Sequence, residues 1–327
     1  MNFRAIRADK TDQGQDVRFS TMGEDDLMPG DVTVRVSHST VNYKDGLALS
    51  GKSPVIRRFP MVLGIDLAGI VSDSSDPRFT AGDEVLLNGY GLSETHMGGY
   101  AQLARVKGDW LVPLPEGMTR ARAMAIGTAG YTAMLCLMAL EAHGLTPNEG
   151  AALVTGAAGG VGSVAIMLLA QAGWHVIAST GRAGETDYLK SLGASEIIDR
   201  AELAKPPKAL MPERWVAAVD SVGSTTLASA IAATKARGAV AACGLAGGMD
   251  LPSSVAPFIL RGVALLGVES VQCPMPTRVA AWERLARTVD VKRLDAMTQT
   301  LSWEKAFEVG EKIRAGQVRG RVVLEIT

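Results

Sequence analysis

Leu153-Val154-Thr155-Gly156-Ala157-Ala158-Gly159-Gly160-Val161-Gly162 is the stretch that fixes how the rest of the chain is read. The apolar run from Ala151 to Val154 has the length and content of a buried parallel strand. A glycine-rich turn follows, and then an apolar segment of helical length from Val161 to Ala172. Strand, tight turn and helix open a dinucleotide-binding βαβ unit. Glycines let the backbone approach a pyrophosphate, and the helix start offers it free N–H groups and positive dipole density. The strict G-x-G-x-x-G spacing would place glycine at 157, 159 and 162, but Ala157 occupies the first position and Gly156 stands one residue early. A turn that merely packs a helix against a strand is the alternative for the isolated motif. A second apolar strand, His175 to Thr180, follows at the spacing a βαβ unit requires.

From that turn the pattern runs outward as strand 151–156, helix 161–172, strand 175–180, helix 185–192 and strand 195–199. It continues as strand 215–220, helix 225–236, strand 238–243 and a last strand near 263–268. Such alternation predicts a doubly wound parallel sheet covered on both faces. Helices near 277–288 and 303–315 and a closing strand from Arg321 to Ile326 make up the tail.

Residues 1–120 have a different texture. Asp31 to Ser37 alternates polar and apolar with period two, as a half-buried strand does. Gly64 to Val71 and Glu84 to Leu87 read as further strands, the second ending at Asn88-Gly89-Tyr90-Gly91, and Gly98 to Gln102 opens another. Short strands with turn signals at Pro29-Gly30 and Ala81-Gly82-Asp83 predict a compact, irregular β-barrel. Ala121 to Leu140 is an apolar helix interrupted at Gly127-Thr128-Ala129-Gly130.

Composition limits the function. Lys plus Arg is 33 against Asp plus Glu 34, which argues against a nucleic-acid partner and leaves phosphate recognition to local groups. Cys136, Cys243 and Cys273 lie far apart in the chain, so a disulfide framework and a structural zinc site are not expected, in keeping with a reducing cytoplasm. Met1 to Arg18 is charged and has no apolar signal region. The apolar helices near 123–140 and 161–172 carry glycines, neighbouring charge or too little length to span a membrane, and read as buried.

Several runs together resemble the medium-chain dehydrogenase/reductase superfamily along essentially the whole chain. They are Gly64-Ile65-Asp66 with Ala68-Gly69, Ala81 to Val85, Gly127 to Gly130, the 156–162 turn and Leu189 to Ala194. Asn42-Tyr43-Lys44-Asp45, Arg105 to Val112, Ala241 to Gly248 and Pro257 to Arg261 resemble its NADPH-dependent acrylyl-CoA reductases most closely, within the zinc-independent, quinone-oxidoreductase-like branch. The resemblance implies an α/β protein with a GroES-like β-barrel catalytic domain and a Rossmann doubly wound parallel sheet, paired into homodimers through the last Rossmann strand. The expected division is 1–122 catalytic, 123–266 NADPH-binding, and 267–327 returning to the catalytic domain.

Zinc enzymes of the superfamily place cysteine near the Asn42 tetrad and Gly-His-Glu where this chain has Gly64-Ile65-Asp66. Neither is present, and His38, His96, His143 and His175 are scattered, so no metal is expected. Without a metal to polarise an alcohol, reduction of an activated double bond is the favoured chemistry. The second strand ends Ala178-Ser179-Thr180-Gly181-Arg182, without the carboxylate that accepts the ribose 2′-OH of NAD. Hydroxyls and a guanidinium there suit a 2′-phosphate, and Arg200 after the third strand adds charge, so the expected cofactor is NADPH. The alternative is a surface arginine beside a capping hydroxyl. Ala158, Gly159, Gly160, Val161 and Gly162 are the expected pyrophosphate contacts. Thr128 and Leu245, with the family segments at Ile259, Ser270 and Arg321, are expected to border the cofactor, although a turn or packing role suits each as well.

Tyr43 is the expected catalytic residue, because a phenol donates a hydrogen bond or a proton at neutral pH; a ring that only covers the nicotinamide is the alternative. Asn88 could donate its amide N–H to a thioester oxygen, or serve only as a turn residue before glycine. Lys44 and Asp45 are expected to pair with each other. Lys52, Arg57, Arg58 and Arg319 are available for the phosphates of an acyl-CoA substrate, against the default of a solvated charged face. The expected reaction is reduction of acrylyl-CoA to propionyl-CoA. The rivals are a quinone or enone reductase on the same scaffold and a non-catalytic NADPH-binding protein of the crystallin kind.

Overall fold

The computed structural model describes residues 2–12, 14–51 and 54–327. In chain order the first strands are β1 (Asn2–Thr11), β2 (Gly14–Gly23), β3 (Val32–Thr40), β4 (Met61–Val62), β5 (Asp66–Ser74), β6 (Glu84–Asn88), β7 (Leu103–Val106) and β8 (Val112–Pro113). They are followed by β9 (Ala152–Val154), β10 (Val176–Thr180), β11 (Glu196–Asp199), β12 (Trp215–Asp220), β13 (Thr234–Ala242) and β14 (Ala264–Gly267). The last two are β15 (Thr298–Ser302) and β16 (Arg321–Glu325). The helices begin with α1 (Tyr43–Leu49), α2 (Arg120–Ala142), α3 (Gly160–Gln171), α4 (Thr186–Leu192) and α5 (Ser224–Ala232). They end with α6 (Ala256–Arg261), α7 (Met275–Thr288), α8 (Val291–Ala296) and α9 (Ala306–Arg314).

The chain divides into two units, Met1–Thr128 with Val271–Ala286 and Leu294–Thr327, and Ala129–Ser270 with Arg287–Arg293. The first unit is the β-rich one. Its larger sheet runs β15-β16-β3-β5-β6-β8, with β7 also paired to β3, and its smaller sheet runs β2-β1-β4. All its pairs are antiparallel except β15 with β16. The chain therefore leaves the β-rich unit and returns to complete its main sheet, with β16 antiparallel to β3. The β1–β2 hairpin was not anticipated. Its outward positions carry Arg7, Asp9 and Arg18 in ion pairs, while Phe3, Ala5, Ile6 and Ala8 are buried. The buried positions change parity between Ala5 and Ile6, so no single period-two pattern marks this charged strand in the sequence.

The second unit holds the expected parallel sheet, in the order β11-β10-β9-β12-β13-β14. This is two βαβ halves diverging from β9 and β12, with the topological switch between them. Its central strands β9, β10 and β12 are buried at every position, as cover by helices on both faces demands, whereas the edge strand β11 exposes Glu196 and Asp199. A core of Leu153, Ile177, Trp215, Ile231 and Val240 fills one side. Trp215 is wholly buried and gives its indole N–H to the carbonyl of Ala230, 3.0 Å away. α2 is long and apolar enough to cross a membrane, yet most of it is buried, and Gly127 breaks it with φ 49 and ψ −163.

Candidate active site

The β-rich unit gathers a buried polar cluster at the start of α1. Asn42 caps that helix, and Asp45, three residues on, accepts its backbone N–H at 2.8 Å. The other Asp45 oxygen accepts the N–H of Ile65 at 2.9 Å. The Asn42 side-chain amide then reaches two carboxylates, Asp45 at 3.1 Å and Asp66 at 2.6 Å. Asp66 also receives the Asn88 amide at 2.5 Å, the Thr128 hydroxyl at 2.5 Å and the Thr128 backbone N–H at 3.3 Å. Charge-assisted bonds of this kind hold a carboxylate firmly, and together they offset its burial.

Arg321 supplies the opposite charge. It donates to the carbonyl of Ala125 at 2.7 Å, to the Thr40 hydroxyl at 2.9 Å and to the Asn42 side-chain oxygen at 3.4 Å. Tyr100 donates its phenol to the Thr40 carbonyl at 3.0 Å. Burial, and then the neighbouring Asp66, push the Asp45 carboxyl up to about 7. The same burial and both carboxylates raise the Tyr100 phenol well above its ordinary value, so it stays neutral.

Gly127 makes this arrangement possible. A side chain there would stand 2.7 Å from an Arg321 nitrogen, 2.8 Å from a Thr40 methyl and 3.3 Å from an Asp66 oxygen. Its left-handed φ turns the backbone so that both the N–H and the hydroxyl of Thr128 meet Asp66.

The sequence-derived residues fall into place unevenly. Tyr43, the first residue of α1, is 42% exposed. Asn88 is buried, and its side-chain amide donates to Asp66. Arg321, expected at the cofactor border, is buried as the cation of the cluster. Lys44 pairs with Glu94 at 2.7 Å, and Asp45 pairs with Asn42; the expected Lys44–Asp45 pair does not form, because α1 turns Asp45 inward. Arg57 stands 3.8 Å from the same Glu94, whereas Arg58 and Arg319 are exposed on the surface. Lys52 lies outside the described residues. Asn42, Asp45 and Asp66 were not singled out as site residues. The Asn42-x-x-Asp45 spacing, a helix-start signature, was the signal available for two of them.

Among the described residues no three His, Cys, Asp or Glu side chains cluster as a metal site. The donor chemistry agrees: N–H and O–H groups occupy the oxygens of Asp66, His38 bonds Ser37, and His96 bonds the carbonyl of Arg105. These residues do not fit a catalytic zinc.

The parallel-sheet unit carries the second set. Gly156 takes φ 58, which answers the displaced motif: it makes the tight turn that the position held by Ala157 usually makes. A side chain at Gly162 would stand 2.4 Å from the Gly156 carbonyl, so α3 packs directly on the turn. The turn is closed by the Gly159 N–H to the Gly156 carbonyl at 2.9 Å and tied to β10 through the Ala157 N–H and Ser179 carbonyl at 3.2 Å. α3 starts at Gly160, so the N–H groups of Gly160, Val161 and Gly162 precede the first i to i−4 bond of the helix and suit an anion.

At the end of β10 the buried Ser179 and Thr180 precede Gly181, over which Arg200 is laid: a side chain at Gly181 would stand 2.3 Å from its guanidinium. The register that pairs Thr180 with Asp199 puts Arg200 there. Arg182 is half-buried beside it, 3.8 Å from Glu185. Two arginines and two hydroxyls fit a 2′-phosphate. Leu245 and Ile259 are 57% and 72% exposed, and the apolar side chains of Met249, Val255 and Leu260 are exposed as well, while Ser270 is partly buried.

Residues 160–287 match the zinc-binding dehydrogenase family and residues 28–116 the alcohol dehydrogenase GroES-like domain. The chain is 49% identical over 327 residues, 99% of both chains, to acrylyl-CoA reductase AcuI of Ruegeria pomeroyi. The chain belongs to the medium-chain dehydrogenase/reductase superfamily. Among solved members of that superfamily, the yhdH oxidoreductase of Salmonella enterica in complex with NADP superposes with a TM-score of 0.97 at 47% identity, covering 99% of this chain and 100% of that one. Bacillus subtilis yhfP with NAD bound superposes at 0.95 with 43% identity, covering 99% of each. The superfamily's two-part organisation is the one built here, a GroES-like β-unit and a Rossmann sheet.

Proposed function

We propose that this protein reduces the carbon–carbon double bond of acrylyl-CoA to give propionyl-CoA, with NADPH as reductant and without zinc. The observation that carries this reading is the near-full-length identity to a reductase of that name. NADPH, when bound, supplies the hydride that adds to the β-carbon of the substrate. The residues of the chain bind, orient and protonate. The 156–162 turn and the start of α3 hold the pyrophosphate, and Arg182 and Arg200 hold the 2′-phosphate with Ser179 and Thr180. Tyr43 directs its hydroxyl to the thioester oxygen, where negative charge gathers, and one good donor there is worth ~3 kcal/mol. The α-carbon then takes a proton from Tyr43 or from water. The Asp66 cluster fixes the Asn42 cap and so the start of α1, from which Tyr43 projects. Thr128, Leu245, Ile259 and Ser270 complete the cofactor's surroundings in this reading.

We further propose a cytoplasmic homodimer. Support for the dimer comes from β14, an edge strand of the parallel sheet, and the exposed apolar side chains that precede it. The second functional reading, a quinone or enone reductase, is supported by the name putative quinone oxidoreductase given to the Bacillus subtilis relative. A panel of acyl-CoAs and quinones, read by NADPH absorbance with and without a chelator, tests both. Turnover of acrylyl-CoA untouched by the chelator is expected. Preference for quinones would favour the second reading, and cofactor binding with no turnover would leave a non-catalytic NADPH-binding protein.

A further inference from the structure

Arg278 on α7 is one of the largest fully buried side chains. A buried guanidinium is costly unless its hydrogen bonds are made. Here its fork bridges two backbone carbonyls, Asn88 at 2.8 Å and Val271 at 3.1 Å. The face of the guanidinium lies 4.4 Å from the centre of the Tyr90 ring, a cation–π contact. Tyr90 stacks in turn on Trp110, 5.6 Å away with the planes 6° apart. The Tyr90 N–H returns to the Val271 carbonyl at 3.0 Å. Gly89 takes φ 75, and the Val271 carbonyl passes 2.8 Å from where its side chain would be. Arg278 thus holds residues 88–90 through the Asn88 carbonyl and the Tyr90 ring, which also stacks on Trp110.

Asn88 is the residue that joins this clamp to the polar cluster. Its carbonyl accepts from Arg278, and its side-chain amide donates to Asp66 at 2.5 Å. One residue spans a buried cation and a buried anion, so the place of its backbone decides how its amide meets Asp66. We propose that Arg278 is a positioning residue for the reaction, setting through the Asn88 carbonyl the geometry in which the Asn88 amide holds Asp66. The role in turnover rests on the reductase reading above. Lysine keeps the charge but not the rigid planar fork that reaches the two carbonyls from two separate nitrogens, so it does not fix them in the same geometry. Misplacement of such a group by about 1 Å costs up to ~10²-fold in rate.

The test is a double-mutant cycle with Arg278→Lys, Asn88→Ala and the pair combined, reading kcat, KM and thermal midpoint. Arg278→Lys should lower kcat about tenfold or more with KM within about twofold, and Arg278→Met should lower it further. With Asn88→Ala already present, adding Arg278→Lys should change kcat by no more than about twofold, because the contact it served is gone. The same fractional loss in both backgrounds would overturn the proposal, as would wild-type kcat in Arg278→Lys. A Lys variant that does not fold would also overturn it, making Arg278 a residue of the fold alone. The cycle is run on whichever of acrylyl-CoA, an enone or a quinone the wild-type enzyme turns over. Failure of the substrate reading then shows in the wild type, and failure of this proposal shows in the cycle.

Discussion

Replacing Gly127 by alanine adds one methyl group at the point where the backbone passes between Arg321, Thr40 and Asp66. Two costs follow. The backbone sits at φ 49 and ψ −163, close to a region that only glycine occupies freely, and holding another residue there costs ~1–3 kcal/mol. The new carbon would then lie 2.7 Å from an Arg321 nitrogen and 2.8 Å from a Thr40 methyl. Neither neighbour can retreat freely, because those two side chains are bonded to each other at 2.9 Å and Arg321 is bonded to Ala125 at 2.7 Å. Overpacking of this kind costs a further ~1–3 kcal/mol. The expected loss is about 2–6 kcal/mol, a large part of the ~5–15 kcal/mol that holds a typical domain together. Denaturant unfolding followed by circular dichroism measures it. Gly117→Ala is the control: Gly117 has φ 76 but nothing within 4 Å of the added carbon, so it bears only the backbone cost of ~1–2 kcal/mol. Equal losses at the two positions would refute the packing argument. Turnover should fall with stability in the Gly127 variant, since the same shift moves Thr128 off Asp66.

The Asp45 carboxyl, pushed up to about 7 by burial from an ordinary value of 3.8, makes stability depend on pH. The folded protein keeps a proton that the unfolded chain releases, so stability should fall as pH rises from about 4 to about 7 and level off above, by up to about 4 kcal/mol. Asp45→Asn should remove most of that slope, and parallel curves for variant and wild type would count against the burial argument. Arg182→Ala should raise KM for NADPH about tenfold, the size of one charge-assisted hydrogen bond, with little change for NADH; equal losses for both cofactors would exclude a 2′-phosphate role. Tyr43→Phe should lower kcat by ~10²–10⁴-fold with NADPH affinity little altered if the hydroxyl is the acid. A Phe variant near wild-type kcat would leave water as the proton source.

What the sequence by itself determined is local. The glycine turn at 156–162, the alternation of strands and helices from 151 to 268, and the absence of a carboxylate at Thr180-Gly181-Arg182 all lie within short windows, where periodicity and backbone freedom act directly. Gly156 shows how far that reaches: the spacing was irregular, yet φ 58 at that residue performs the expected turn. The charges of β1 and β2, and buried positions that change parity between Ala5 and Ile6, hid the hairpin. The buried polar cluster was decided only in three dimensions. Asn42 and Arg321 meet across 279 positions, and Thr40 and Arg321 across 281, because β16 returns to pair with β3. Asp66 draws its donors from Asn42, Asn88 and Thr128, each on a different element. No window of sequence contains such a set. The pattern of a strand says which face is buried, whereas which charges meet on that face depends on which strands become neighbours.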